Sequence, residues 1–199
     1  VKILFAIASY FVGAFPTGYL FFRALEKQDV RSFGSGATGA TNILRLEGWA
    51  YALPVALIDI LKGFLPAFLA MKYFGDERLA AVSAGLAVLG HCYPIYIGFK
   101  GGKGVAVAAG AMFSLTFLPS LCSLGVFVLT VVLTRYVSLG SILAVIFFPF
   151  FIFLLSGPRE LILLSLPVLL IILIRHLENI KRLLRGQERK FGQKVRLDR

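Results

Sequence analysis

Arg45, Lys103, His176 and Asn179 are residue types that can hold a phosphate and move a proton, and each belongs to a short polar island between long apolar runs. The first island, FGSGATGATNILR at 33–45, interleaves Gly34, Gly36 and Gly39 with Ser35, Thr38, Thr41 and Asn42 and closes on Arg45. Its glycines let backbone N–H groups approach a ligand, and its hydroxyls and amide supply directional hydrogen bonds. Arg45 can grip a phosphate through two parallel hydrogen bonds, which a lysine cannot copy. The second island, FKGGKGVA at 99–106, sets Gly101, Gly102 and Gly104 around Lys103 just ahead of a helix. Unpaired N–H groups and the helix dipole favour an anion there, and Lys103 adds a full positive charge. This is no Walker A loop, because Ile97 and Gly104 stand where that pattern needs a glycine and a Ser or Thr.

In the third island, RHLENIKR at 175–182, His176 and Asn179 are three residues apart and share a helical face that excludes Glu178. His176 has the intrinsic pKa of a proton acceptor. Ser141, in SLGS, reads as a helix cap or as a weaker fourth candidate. His91 and Pro94 precede the glycine turn and are assigned to shaping it. Asp59 and Lys62, also three apart, form a charge pair inside an apolar run, as a structural clamp or a substrate contact. No Ser-His-Asp set presents itself. Cys92 and Cys122 lie in or beside apolar segments as small packing residues, with neither metal-ligand spacing nor a disulfide framework. No metal and no cofactor are expected.

The elements that must carry these islands are membrane helices. The chain is 58% apolar and 16% charged, with a mean hydropathy of +0.85, more hydrocarbon than a soluble core of 199 residues can hide. The runs do not alternate polar with apolar, which excludes a closed β-barrel. Helices are predicted at 3–22, 49–71, 79–97, 104–118, 120–134, 137–156 and 159–175, with 3–22 retained as a first span rather than removed as a signal peptide. From Val105 to Thr134 there is no charge at all, and FLPS around Pro119 offers the turn that makes this stretch two helices.

The net charge of +11 sits at the ends of apolar segments, so it sets topology rather than binding nucleic acid. With seven spans, sixteen of the 21 Lys and Arg fall on one side: Arg23, Lys27, Arg31, Arg45, Lys100, Lys103, Arg135 and the nine from Arg175 to Arg199. The positive-inside bias then puts the amino terminus outside and the tail in the cytoplasm. Leu177, Ile180, Leu183 and Leu184 share one side of a tail helix, the pattern of an interfacial amphipathic segment. The expected fold is all-α: one membrane-embedded domain over residues 1–199 with seven spans.

Together the islands resemble the bacterial acyl-phosphate-dependent glycerol-3-phosphate acyltransferases, the PlsY family, over essentially the whole chain. GSGATGATNILR is similar to the family's first motif, with Ala37 where Asn is common; HCYPIYIGFKGGKGVA at 91–106 resembles the second and RHLENIKRLLRGQE at 175–188 the third. The resemblance implies transfer of a fatty acyl group from acyl phosphate to the sn-1 hydroxyl of glycerol 3-phosphate at the inner membrane, giving lysophosphatidic acid and phosphate. His176, Asn179, Lys103 and Arg45 would be the catalytic set. Ser35, Thr38, Thr41, Asn42, Gly101, Gly102, Gly104 and Ser141 would join them in binding substrate. The implied partners are glycerol 3-phosphate, acyl phosphate and membrane lipid, with no obligatory protein partner. Acyl-CoA-dependent relatives in function use a His followed five residues on by Asp; here Tyr96 follows His91 and Lys181 follows His176. The alternative from another class is a small transporter of phosphate or organophosphate anions, for which the short opposite loops KYFGDER and SGPRE offer no matching constellation.

Overall fold

The computed structural model describes residues 1–157 and 159–195, so Arg196 and Arg199 of the basic tail lie outside the described residues. Among the described residues ten α-helices follow one another: α1 Lys2–Ala14, α2 Thr17–Glu26, α3 Ala40–Glu47, α4 Trp49–Phe74, α5 Glu77–Cys92, α6 Val105–Leu115, α7 Phe117–Thr134, α8 Val137–Leu154, α9 Arg159–Arg175 and α10 Leu177–Leu184.

Several boundaries differ from the predicted ones, each for a local reason. The first span is broken, because Pro16 forces Phe15 out of the helical region (φ −56°, ψ 116°). The carbonyl freed there accepts a hydrogen bond from the Lys62 ammonium of α4 at 2.7 Å. The α6–α7 break falls at Thr116, which is extended, and Pro119 sits in the first turn of α7, where it removes no helical hydrogen bond. Residues 40–47, read as part of a loop, form α3, which Gly48 ends with a φ of +84°. The helix predicted at 79–97 stops at Cys92, and Ile95–Ile97 is a separate 3-10 turn.

The helices pack through small residues. A β-carbon on Gly13 would lie 2.0 Å from the Ala87 carbonyl oxygen, and one on Gly90 2.2 Å from that of Tyr10, so α1 and α5 touch backbone to backbone. Gly63 meets Val107 and Gly110 meets Ile60 in the same way, joining α4 to α6. Close approach of this kind replaces the hydrophobic driving force that lipid does not supply between helices. The outward faces are apolar: Leu53, Leu57, Leu61 and Leu65 form an exposed stripe at helical spacing on α4, as a lipid-facing surface requires. The protein is a multi-pass integral membrane protein. Among the described residues, five segments are long and apolar enough to cross a bilayer: Lys2–Glu26, Trp49–Phe74, Glu77–Ile97, Phe117–Thr134 and Val137–Leu154. The pair α9 and α10, bent by 56°, makes a sixth if counted as one span. With its 11 residues, α6 is about 16 Å long, short of the roughly 30 Å of a hydrocarbon core.

Candidate functional site

The three islands meet around one cavity of about 310 Å³. Its first wall is the loop before α3, wound around a single side chain. Asn42 accepts from the Ser35 N–H at 2.9 Å and donates to the carbonyls of Phe33 at 3.2 Å and Ala37 at 3.0 Å. Gly34 makes room for it, since a β-carbon there would lie 2.2 Å from Asn42 Oδ1. With its amide occupied in this way, Asn42 holds the loop open while Ser35, Thr41 and Arg45 also face the cavity. Arg45 is 9% exposed. Burial pulls its guanidinium below the ordinary value, partly offset by the Glu188 carboxylate, and arginine stays charged regardless. The loop's approach is anchored by Arg31, which binds Asp29 and donates to the Ile97 carbonyl at 2.7 Å.

The second wall is the glycine turn leading into α6. Gly101 N–H donates to the Cys92 carbonyl at 3.2 Å and Gly102 N–H to the His91 carbonyl at 3.1 Å. Arg175, just before the third island's His, clamps the carbonyls of Gly101 and Gly102 at 2.9 and 3.0 Å. Those two amides are therefore not free to meet a phosphate, and Gly101 and Gly102 stand behind the cavity wall rather than on it. Lys103 and Gly104 line the cavity, with α6 beginning directly behind them. Burial lowers the Lys103 ammonium to about 8; Glu188 opposes this shift, and the positive charges of Arg182, Arg45 and Arg175 add to it.

The third wall comes from the chain leaving α9. His176 Nδ1 lies 2.8 Å from the Ile172 carbonyl, which fixes the proton on Nδ1 and leaves Nε2 as the acceptor. Burial, then the Lys103 charge, hold this imidazole down at about 4. Asn179 donates to Glu188 Oε1 at 2.7 Å, Ser138 of α8 donates to the same oxygen at 2.8 Å, and Arg182 donates to Oε2 at 2.9 Å. Burial alone would raise the Glu188 carboxyl, but these hydrogen bonds hold it below the usual carboxylate range. Among the described residues, neither Arg45 nor Lys103 lies within ion-pair distance of a carboxylate.

Of the residues singled out by sequence, Ser35, Thr41, Asn42, Arg45, Lys103, Gly104, Ser141, His176 and Asn179 line the cavity, while Thr38, Gly101 and Gly102 do not. Thr38 is buried behind the loop, its carbonyl pressed against Gly18 of α2. Ala37, at the position where the resemblance departs, lines the cavity through a methyl group and uses its carbonyl to hold Asn42. Glu188, Ser138 and the Arg175 clamp were not foreseen. Beyond these polar residues the cavity lining is apolar, with Ala108, Met112 and Phe113 of α6, Leu124 and Phe127 of α7 and Val145 of α8.

A family model described as glycerol-3-phosphate acyltransferase matches residues 3–186. The chain is 42% identical over 196 residues to a glycerol-3-phosphate acyltransferase of Prochlorococcus marinus strain MIT 9215, covering 97% of this chain and 99% of that one. It is 44% identical over 195 residues to one of Shouchella clausii strain KSM-K16, with 93% of each covered. Two crystal structures of PlsY, an integral membrane glycerol 3-phosphate acyltransferase, superpose on it over 96% of both chains. The glycerol 3-phosphate form does so with a TM-score of 0.91 at 40% identity, and the lysophosphatidic acid form with 0.87 at 39%.

Proposed function

The chain belongs to the glycerol-3-phosphate acyltransferase family, and from that membership we propose that it moves a fatty acyl group from acyl phosphate to the sn-1 hydroxyl of glycerol 3-phosphate. The observation that carries this reading is the two-ended cavity: the Arg45 and Lys103 cations at one end, an apolar arm between α6, α7 and α8 at the other. Acyl phosphate has the same two ends. Glycerol 3-phosphate brings a second phosphate, and a buried Arg45 and a half-buried Lys103, neither within ion-pair distance of a carboxylate among the described residues, match that demand.

Acyl phosphate is a mixed anhydride and already activated, so the hydroxyl attacks its carbonyl directly. The new C–O bond forms as the C–O bond to the phosphate breaks, releasing lysophosphatidic acid and phosphate. The protein holds two anions together despite their repulsion and stabilises the oxyanion as it develops. Arg45, Lys103, Ser35 and the Gly104 amide hold the phosphates, while Gly101 and Gly102 build the turn. Thr41 and the second N–H of Asn179 serve the oxyanion, with Ser141 beside them. The hydroxyl proton has two candidate acceptors, His176 Nε2 and a phosphoryl oxygen of the donor. Burial and the Lys103 charge hold the imidazole at about 4 before substrate binds, and its Nδ1 is committed to the Ile172 carbonyl; we take the phosphoryl oxygen as the acceptor and His176 as the group that positions it.

Seven crossings fit this site. Arg45 before α4, Lys103 between α5 and α6, Val137 and Ser138 at the start of α8 and His176 after α9 all border the same cavity, which fits α4–α5, α6–α7 and α8–α9 each leaving and returning, with α1–α2 adding one crossing. The short α6 reaches far enough for Leu115 to pack beside Ala70, Leu79 and Ala80 at the far ends of α4 and α5. The basic loops put the cavity on the cytoplasmic side of the inner membrane with the amino terminus opposite, and α10 lies at that interface. One domain carries the whole activity.

Purified protein in detergent, given palmitoyl phosphate and labelled glycerol 3-phosphate with a chelator present, should make labelled lysophosphatidic acid acylated at sn-1 and an equal amount of phosphate. Product from acyl-CoA with none from acyl phosphate would reverse the choice of donor.

A further inference from the structure

Asp59, Lys62 and His91 are 1%, 5% and 8% exposed and lie within membrane-spanning helices. Three ionisable groups at that depth are expensive to keep, by several kcal/mol each when unpaired. The Lys62 ammonium lies 2.7 Å from Asp59 Oδ1 one turn back on α4, which already neutralises both charges. Neutralisation therefore does not explain the rest of the arrangement. Lys62 also donates to the Phe15 carbonyl at the α1–α2 break. His91 turns Nδ1 toward the same Asp59 oxygen, at 3.7 Å.

The other edge of that imidazole explains where the arrangement points. A β-carbon on Gly102 would lie 2.1 Å from His91 Nε2, so the ring is seated directly against the glycine turn. The His91 carbonyl also receives the Gly102 N–H at 3.1 Å. The turn is thus gripped by His91 and Cys92 on one side and by the Arg175 guanidinium on the other. Lys103 is the next residue. Both Asp59 and His91 border the cavity into which Lys103 faces.

We propose that Asp59, Lys62 and His91 form a positioning network that sets the glycine turn and so fixes the Lys103 ammonium on a substrate phosphate, with Lys62 tying the network to the break in the first span. These are positioning residues, not catalytic ones, and their role rests on the reading that Lys103 holds phosphate.

The test is a double-mutant cycle read as the affinity of inorganic phosphate, the reaction product, for purified protein. Its arms are His91→Ala, Lys103→Met and the pair together, with the charge-balanced Asp59→Asn/Lys62→Gln protein as a second route that leaves no orphan charge. Lys103→Met and His91→Ala should each weaken phosphate at least tenfold, and Lys103→Met added to His91→Ala should weaken it less than threefold further, because coupled residues are non-additive. Asp59→Asn/Lys62→Gln should weaken phosphate tenfold at a near-wild-type melting temperature and show the same loss of sensitivity to Lys103→Met. If the effects of His91→Ala and Lys103→Met simply multiply, or if the charge-balanced protein binds phosphate normally, the network does not position Lys103. If Lys103→Met alone leaves phosphate affinity unchanged, the assignment of Lys103 itself fails and the network loses its purpose with it.

Discussion

Glu188 Oε1 accepts a hydrogen bond from Asn179 Nδ2 at 2.7 Å, across a turn at Gly186 whose φ of +67° sends the chain back over the cavity. Ser138 and Arg182 complete the carboxylate's partners, so one acidic side chain ties α8, α10 and the tail into the cavity wall. Glu188→Ala releases three groups at once and should lower kcat at least tenfold. Glu188→Gln keeps an acceptor oxygen and should lose less. Equal losses in steady-state assays would mean that the charge, not the hydrogen-bond geometry, is what matters.

Arg45→Lys keeps a positive charge and removes the paired N–H fork. The apparent KM for glycerol 3-phosphate should rise tenfold or more, about 1.4 kcal/mol of binding, with a smaller change in kcat. An unchanged KM removes Arg45 from the phosphate site.

His176→Ala separates positioning from proton acceptance. Loss of about tenfold in kcat is expected of a group that positions the reactants, whereas a general base is typically worth about a hundredfold or more. A loss of the larger size would transfer the proton to His176.

Lys103 supplies a pH dependence with a definite sign. Burial lowers its ammonium to about 8, so in the free enzyme the charge is present below that value and lost above it, and a bound phosphate pushes the value back up. Apparent affinity for inorganic phosphate should therefore fall as pH rises from 7 to 9. Lys103→Arg should flatten the profile, and a wild-type profile already flat over that range would show that this ammonium does not hold the anion.

Gly104 has a φ of +82°, and a β-carbon there would lie 2.9 Å from Cys92 Sγ and 3.0 Å from Val88 Cγ1. The left-handed conformation alone costs an alanine about 1–2 kcal/mol. Gly104→Ala should lower the thermal midpoint in detergent by several degrees; an unchanged midpoint would mean that the turn yields.

Much of this was legible in the sequence because membrane helices and glycine-rich turns leave strong local marks. The apolar runs placed every long helix, and Arg45, Lys103, His176 and Asn179 were recognisable as polar residues held at the ends of those runs. What could not be read were contacts made across the fold. Glu188 looked like one more charge in a basic tail, since nothing local says that Gly186 turns it back toward Asn179. Arg175 looked topological, although its guanidinium closes on two carbonyls more than seventy residues away in sequence. The amides of Gly101 and Gly102 looked available because the carbonyls of Cys92 and His91 that engage them belong to another element. Gly39 and the polar run before it disguised α3 as loop; Ile43, packed against Phe22, Val30 and Val55, was the residue whose burial marked it as a helix.

The central claim is that one cavity holds both phosphates at the same moment. Initial rates measured while acyl phosphate and glycerol 3-phosphate are varied together test it most directly. Direct transfer in a ternary complex gives double-reciprocal lines that intersect. Parallel lines, with phosphate released from acyl phosphate before any glycerol 3-phosphate is added, would require a covalent acyl-enzyme and contradict it.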